Sequence, residues 1–548
     1  MPSLLTRRTF FGKCAALLAA SAVPGFGVGG CGPGRTAAVP GKIMGASAAA
    51  GHKLRGEHAL FAQPPAAVHS CEYVIVGGGV AGLSAARRLK AGGVASFCVL
   101  ELEEQAGGNA SSGHNGRTAY PWGAHYLPLP NPDQTELLGF LRECGAVTGF
   151  DAAGLPVYND YYLCFDPKER LYLNGYWQDG LIPHFGVPGA DSDQIRAFLE
   201  RMQTFRTARG TDGKYAFQLP VDASSADEQY RSLDRITMHA YLQSQGFTSP
   251  YLVWYVDYCC RDDYGTTVHD TSAWAGIHYF AARRGVAANA EGNAVLTWPE
   301  GNGWLVTQLA RHAAGNLKTG CLVYAVTPAA GAVHVDYLDV RSGKTGRVTA
   351  GKCIVAAPQL VAGRLLKGVP NPAGAAPSPF TYSPWMVANL TLSPFPDRQG
   401  SPLSWDNVVY GGASLGYVNA RHQHLRSGRG TEPEVVTYYL PLSHTDPRTA
   451  RTEALARTHA EWVALITADL SGAHPGLEKY LQRVDVWLWG HGMVRPVPGF
   501  VWSEARRQAA APVAGRVFFA HSDLSGISLF EEACYHGTRA AQAAMGTQ

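Results

Sequence analysis

The chain has 548 residues, 46% hydrophobic and 16% charged, so it can bury a large core and is predicted to form two or three globular domains. Its formal net charge of +3 is small for this length, and Lys and Arg form no dense block beyond the N-terminus, which excludes an electrostatic case for nucleic-acid binding. The usual spacings of zinc ligands and of covalently attached c-type haem do not occur, and no metal is predicted.

Residues 1–31 are predicted to be a targeting segment rather than part of the fold. Thr6–Lys13 (TRRTFFGK) resembles the twin-arginine export signal, with an ordinary Sec signal as the alternative. The apolar stretch Cys14–Val23 is shorter than the roughly 20 residues that span a bilayer. Val28–Cys31 resembles a bacterial lipobox, which makes Cys31 a candidate lipid anchor. We therefore expect a periplasmic or otherwise exported protein that uses the twin-arginine translocase, with a Gly-, Ala- and Pro-rich linker over residues 32–70.

A strand, a glycine turn and a helix follow one another next. Tyr73–Val76 is the short apolar run of a strand buried on both faces, and Leu83–Leu89 has helix-forming, Ala-rich spacing. Between them, Gly77, Gly79 and Gly82 give G-x-G-x-x-G. In this context the first glycine permits the tight turn, the second lets a pyrophosphate approach the backbone, and the third lets the helix pack on the strand.

An acid at the end of the next strand completes the pattern. Ala95–Leu100 is predicted to be a second buried strand, and it ends in Glu101, about 20 residues after the turn, where a carboxylate binds a ribose diol. Val80 and Ala81 occupy the variable motif positions at the helix N-terminus, where unpaired N–H groups bind phosphate. Together these features predict the dinucleotide site of a Rossmann-type α/β domain.

Val99–Glu101 followed by Gly107 and Gly108 resembles the V-L-E-x(5)-G-G pattern of the FAD-containing amine oxidases and their phytoene desaturase-like relatives. The resemblance implies that the cofactor is FAD and that the glycine pair lies close to its phosphates. Asn109 departs from the family pattern, which usually has Arg at this position.

The segment Tyr120–Tyr126 (YPWGAHY) resembles the family loop that approaches the flavin ring. By that resemblance Gly123, Ala124 and Tyr126 lie near the isoalloxazine, with a purely structural turn as the alternative. The following segment, with Asn131 or Asp133 as the cap, is predicted to be a helix up to residue 145.

Later segments resemble the parts of the family that return to the nucleotide domain. The resemblance places Val323 against the adenine and Asp523 against the cofactor, ahead of a C-terminal helix. The predicted fold class is therefore α/β, with a Rossmann-type FAD-binding domain interleaved with an α+β substrate-binding domain. The FAD-binding parts are residues 71–130, 296–375 and 491–548, and the substrate-domain parts are residues 131–295 and 376–490.

The resemblance weakens where the chemistry would take place. The family has a lysine near flavin N5 and two aromatic rings around the amine, but the strand Trp385–Leu392 has Asn389 where the lysine would fall. One ring is expected at Trp489, and His491 is either a base or a hydrogen-bonding loop residue. With Tyr126, these are the candidate catalytic residues.

Three functions stand on this basis. The first is an exported FAD-dependent oxidoreductase that oxidises an amine or polyamine by hydride transfer to flavin N5, with O2 or a quinone or cytochrome as electron acceptor; carboxylates near the pocket would favour it. The second is a flavin desaturase or isomerase of an apolar substrate. The third is a flavin-binding envelope protein without turnover. A G-x-S-x-G match at residues 412–416 is expected to be a loop between strands, because no helix pattern follows it.

Overall fold

The computed structural model describes residues 39–56, 61–370, 378–394, 396, 399–424 and 433–546, so the predicted targeting segment and Cys31 lie outside the described residues. The strands are β1 Ile43–Gly45, β2 Ala67–Val76, β3 Phe97–Leu100, β4 Ser112–His114, β5 Ala119–Pro121, β6 Tyr126–Pro128, β7 Val147–Phe150, β8 Pro156–Tyr158, β9 Glu169–Leu173, β10 Tyr176–Asp179, β11 Val295–Thr297, β12 Leu317–Lys318, β13 Cys321–Ala329, β14 Ala332–Asp339, β15 Thr345–Val355, β16 Tyr382–Leu392, β17 Asp406–Val409, β18 Tyr417–Asn419, β19 Glu434–Pro441, β20 Leu481–Val494 and β21 Val517–Phe519.

The α-helices of the same part of the chain are α1 Ala48–His52, α2 Val80–Ala91, α3 Thr135–Glu143, α4 Gly189–Thr207, α5 Glu228–Arg231, α6 Met238–Ser244, α7 Pro250–Tyr264, α8 Ala273–Ala281, α9 Gly303–Ala310, α10 Gln359–Leu365, α11 Pro447–Ala456, α12 His459–Leu470, α13 Glu504–Ala509 and α14 Phe530–Met545. None of them combines the length and the apolar character that a membrane-spanning helix needs.

One sheet is a Rossmann-type parallel sheet with an antiparallel extension. Strands β12, β3, β2, β15 and β21 run parallel, and β15 also pairs through its first half with β14, which pairs in turn with β13. Val74, Ile75, Val99 and Ile354 are fully buried, as expected for strands covered on both faces. The predicted dinucleotide-binding architecture is therefore confirmed.

Helix α2 packs closely between this sheet and α14. A Cβ added at Gly537 of α14 would lie 2.9 Å from the Cβ of Ser84 and would overlap the carbonyl oxygen of Ala81. The buried face of α2 includes Leu83 and Ala85. The helix is thus fixed on both sides, and its N-terminus has a set position at the edge of the sheet.

The second large sheet has the order β1-β20-β16-β19-β18-β17-β9-β10, and its two faces have different neighbours. Ala388 and Tyr438 belong to the outer face, which packs against Trp462 of α12. Val387 and Tyr439 belong to the inner face, which packs against aromatic residues of α7. This alternation with period two gives the sheet one structural face and one face toward the candidate site.

Two segments differ from their predicted boundaries. The predicted linker contains β1, in which Met44 pairs with Trp487 of β20, because this edge of the second sheet takes an additional strand. β20 itself continues to Val494, beyond the expected return to the nucleotide domain at residue 491.

The predicted cap of the helix near residue 131 was wrong. Helix α3 begins at Thr135 with Gln134 as its N-cap residue. The side chain of Asn131 instead donates to Ala282 O at 2.9 Å and accepts from Arg284 N at 2.6 Å, so it ties the chain to the end of α8.

Candidate functional site

The turn after β2 has the geometry of a phosphate-binding turn. Gly77 has a φ of +107°, and a Cβ there would overlap Ala356 O. Its N–H donates to Leu100 O at 2.8 Å, and a Cβ on Gly82 would overlap Gly77 O. Only glycine fits at both positions, and the turn leads directly into the N-terminus of α2.

A second glycine segment lies beside this turn. Gly107 N donates to Gly78 O at 2.9 Å, and a Cβ on Gly108 would meet only Gly79 Cα among the described residues, at 3.6 Å. The two segments therefore leave open space at Gly79 and Gly108. The first amides of α2, which include those of Val80 and Ala81, lack intrahelical acceptors by geometry and face this end of the helix. The arrangement fits a dinucleotide pyrophosphate.

Glu101 follows β3 directly and closes one side of this groove. Its carboxylate accepts from Gly78 N at 2.5 Å and from Glu103 N at 2.8 Å. Burial raises the pKa of the carboxyl, while these amides lower it. Cys321 N donates to Glu101 O at 2.8 Å, which brings the start of β13, and with it the buried Val323, toward this acid.

The structure places Asp523 at the ends of β15 and β21. The carboxylate accepts from Tyr382 Oη at 2.5 Å and from Gln359 N at 2.8 Å, and it lies 3.0 Å from His521 Nδ1. Burial would raise its pKa, but the neighbouring His521 and these hydrogen bonds lower it. Nearby, the buried Nε2 of Gln359 has no partner among the described residues, so a donor is left for a bound group.

The aromatic loop Tyr120–Tyr126 lies against both domains. Ala124 N donates to Asn109 O at 2.9 Å, and a Cβ on Gly123 would overlap that same oxygen. On the other side, Asn302 donates through its backbone to Ala124 O at 3.0 Å and through its side chain to Tyr126 O at 2.9 Å. The loop therefore joins the second glycine segment to the entry of α9.

The structure brings three of the four candidate catalytic residues to this loop. Asn389 Nδ2 donates to Pro121 O at 3.2 Å, and Trp489 Nε1 donates to Trp122 O at 2.6 Å. Tyr126 belongs to the loop itself. His491 lies instead beside the ring of Tyr382, with 5.8 Å between ring centroids.

His491 is a neutral imidazole in this environment. Burial first, and then the neighbouring Arg451, Arg55 and His52, lower its pKa to about 4. Asn109, in the position of the family arginine, donates to Gly492 O rather than carrying a charge.

Aromatic rings continue from the loop toward the sheet. The ring of His125 stacks on that of Tyr439, with 4.6 Å between centroids, and lies 5.6 Å from that of Trp405. Burial lowers the pKa of His125 to about 3, so this ring is neutral and behaves as part of an apolar wall.

Three carboxylates that the sequence analysis did not single out lie next to this wall. Glu169 of β9 and Asp406 of β17 are register partners, and Tyr258 Oη of α7 donates to Asp406 Oδ2 at 3.4 Å. Tyr126 Oη donates to Asp262 Oδ2 at 3.2 Å. Glu169, Asp262 and Asp406 are half-buried, and we call them the acidic recess. Asp262 and Asp263, two adjacent acids near the end of α7, were the one feature of the sequence that could have drawn attention to it.

The recess concentrates carboxyl groups whose ionisation is unfavourable without a cationic partner. Burial, and then the nearby Asp263, raise the pKa of Asp262 to about 7. Burial also raises the pKa of Asp406 well above its usual range and that of Glu169 more moderately, and the charge of Glu169 raises the pKa of both other acids. The charge of Lys168 lowers the pKa of Glu169 and so partly offsets the effect of burial. Such an array favours a cation over an anion.

The described ranges contain no group of three or more His, Cys, Asp and Glu side chains arranged to hold a metal ion. The G-x-S-x-G segment forms the connection between β17 and β18, where Ser414 Oγ donates to Asp469 Oδ2 at 2.6 Å. It therefore has the expected loop structure and a structural hydrogen bond.

Comparison with known proteins bears on the fold. The model of the NAD(P)-binding Rossmann-like domain family matches residues 75–144. A comparison with curated proteins gave no match. Putrescine oxidase bound to putrescine superposes with a TM-score of 0.58 at 15% identity, over 87% of this chain and 100% of that one.

Two further solved structures have the same architecture. Cyclohexylamine oxidase from Brevibacterium oxydans gives a TM-score of 0.61 at 14% identity, over 88% of this chain and 99% of that one. A fatty acid isomerase from P. acnes, which produces CLA, gives 0.58 at 15% identity, over 86% and 97%. This chain therefore has a Rossmann-like dinucleotide-binding domain within a fold that is shared by amine oxidases and a fatty acid isomerase.

Proposed function

We propose that the protein is an exported FAD-dependent oxidoreductase that oxidises an amine or polyamine. The observation that carries the choice of substrate is the acidic recess beside the aromatic loop. A bound flavin would supply the hydride acceptor, N5, which no side chain can replace.

The residues of the nucleotide domain fit FAD. The open space at Gly79 and Gly108 and the amides of α2 would hold the pyrophosphate, and Glu101 is placed to accept from a ribose diol. The unpartnered Gln359 Nε2, together with Oδ1 of Asn302, which is also buried without a partner among the described residues, leaves polar groups for the cofactor.

The acidic recess supports a cationic substrate. Carboxylates attract ammonium groups, and the faces of Tyr439 and Trp405 would add cation–π attraction. Tyr126 and Asp262 would orient the amine end near the loop, and Glu169 and Asp406 would take a second cationic group. A fatty acid would bring its own carboxylate into like-charge repulsion, which disfavours the isomerase alternative.

Export is part of the proposal and is supported by the sequence alone. The twin-arginine pattern at residues 6–13 supports passage through the translocase, and Cys31 supports a lipid anchor on the periplasmic side. Such a location leaves O2 or a membrane quinone or cytochrome as electron acceptor.

The test is anaerobic reduction of the purified protein. We expect a flavin absorption spectrum that is bleached by putrescine or spermidine, and more slowly by a monoamine such as benzylamine. Asp262→Asn should raise the concentration of diamine needed for half-maximal bleaching at least tenfold, since it removes a charged partner. Asp469→Asn, on the outer side of the second sheet, is the matched control.

Other outcomes decide against the proposal. Bleaching by linoleate but by no amine would establish the desaturase alternative. Conversion of linoleate to an isomer without lasting bleaching would establish the isomerase. A bound flavin that is reduced neither by amines or linoleate nor by dithionite would indicate the third alternative, a flavin-binding protein without turnover. Reoxidation by air or by a quinone then identifies the acceptor.

A further inference from the structure

Three consecutive backbone carbonyls of the aromatic loop accept hydrogen bonds from side chains of the second sheet. Pro121 O accepts from Asn389 Nδ2 at 3.2 Å, Trp122 O from Trp489 Nε1 at 2.6 Å, and Gly123 O from Tyr439 Oη at 2.9 Å. The donors come from three adjacent strands, β16, β20 and β19. We call these side chains the loop donors.

The orientation of Asn389 is itself fixed. Thr437 Oγ1, on the neighbouring strand, donates to Asn389 Oδ1 at 2.7 Å, so the amide nitrogen must face the loop. Asn389 is 3% exposed, and both ends of its amide are used. Its amide is therefore engaged with the loop and the neighbouring strand, unlike the lysine that the family resemblance implies at this position.

The loop donors hold one side of the aromatic loop, and the other side of the loop faces the nucleotide domain. Trp122 stacks on Trp487 with 5.2 Å between centroids, while Gly123 and Ala124 remain half-buried. Because Ala124 also bonds to Asn109, beside the second glycine segment, a shift of the loop would also disturb that segment.

We propose that Asn389, Trp489 and Tyr439 are positioning residues that fix the aromatic loop against the flavin ring, an assignment that rests on the proposed FAD site. Their role is to set the place and the surroundings of the ring rather than to react. This separates Asn389 and Trp489 from the catalytic role that the sequence analysis gave them.

The test compares Asn389→Leu and Tyr439→Phe with Tyr438→Phe. The control residue is adjacent on the same strand but on the outer face, where its hydroxyl donates to Asp469 at 2.9 Å. Each loop variant leaves a buried carbonyl without a partner, so we expect a roughly tenfold weaker FAD affinity, a shifted flavin absorption maximum and a changed midpoint potential. Tyr438→Phe should change the FAD affinity less than twofold and should leave the absorption maximum and the midpoint potential unchanged. Circular dichroism spectra check that all three variants fold.

The outcomes separate this inference from the proposed function. In one outcome the wild type binds FAD, but the loop variants match the control in FAD affinity, absorption spectrum and midpoint potential. This outcome would overturn the positioning role and leave the proposed function intact. If the wild type binds no FAD, the proposed function fails. Amide hydrogen exchange in residues 120–126 then tests directly whether the loop donors fix the loop. Exchange faster in Asn389→Leu than in Tyr438→Phe supports it, and equal exchange refutes it.

Discussion

Asp262 is a carboxyl group in a place where ionisation is unfavourable. The ring of Tyr126 and the charges of Asp263, Arg283 and Glu169 surround it, and its pKa is raised to about 7 by burial first and by Asp263 second. A cationic ligand would reverse this balance, because it offers the ionised form a partner. With the proposed cationic substrate, the residue would link substrate charge to its own protonation.

A pH-dependent stability follows from the same residue. The folded-state pKa lies above the value of about 3.9 in an unfolded chain, so the stabilising contribution is complete below that value and is lost as the pH rises through about 7. We expect Asp262→Asn to melt at a higher temperature than the wild type at pH 8, on the order of 1–3 °C, and at nearly the same temperature at pH 4.

Thermal melts of the substrate-free protein at the two pH values measure this difference. The exposed Glu478→Gln serves as the control for a lost carboxylate. An Asp262→Asn offset of equal size at both pH values would show that the proton equilibrium is not its cause.

At the scale of elements, the contact between α2 and α14 depends on a missing side chain. Gly537→Ala would place a methyl group on the backbone of α2, and we expect a loss of about 1–3 kcal/mol in the free energy of unfolding. Gly139→Ala in α3 is the matched substitution, because its nearest neighbour would be Arg87 Nη2 at 3.8 Å, and it should stabilise by up to about 1 kcal/mol. Urea denaturation measures the free energy of unfolding of both variants. Changes of the same sign in the two variants would contradict the close contact between α2 and α14.

The elements differ in how far the sequence predicts them. The strand, turn and helix at Gly77 follow from local rules, since the apolar run, the glycines and the helix spacing are contiguous, and the structure contains them where expected. The return of the chain through β15 and β21 to one sheet came from the family resemblance, and the register confirms it.

The acidic recess could not be predicted in the same way. Glu169, Asp262 and Asp406 lie on two strands and one helix that are far apart in sequence, and each alone has the pattern of an ordinary half-exposed acid. Only the parallel pairing of β9 with β17 and the packing of α7 across them bring the charges together. A single sequence contains no signal for such a long-range pairing.

At the scale of the whole molecule, β1 closes one edge of the second sheet. It pairs in parallel with β20, and Val486 N donates to Lys42 O at 2.9 Å. An uncovered edge strand invites pairing with other chains. We expect a chain that lacks residues 1–45 to melt several degrees lower and to aggregate, whereas a chain that starts at residue 32, after the proposed lipobox, should behave like the full-length protein.

Light scattering and thermal melts distinguish these two truncations. Equal behaviour of the two would mean that β1 contributes nothing to the edge. Loss of stability in both would instead place a structural role before residue 32.

The position of β21 has a consequence for the order of events in the cell. This strand is a hydrogen-bonded neighbour of β15 and lies two strands from β2, although more than four-fifths of the chain separates β2 from β21. The ribosome must therefore release nearly the entire polypeptide before β21 can complete the Rossmann sheet, while the proposed targeting segment at residues 1–31 has been available from the first residues. A transport route that engaged the nascent chain early would carry it across without a formed nucleotide groove. Under the proposed export, the order of the strands thus favours transport after folding, so that the cofactor is acquired in the compartment where it is made.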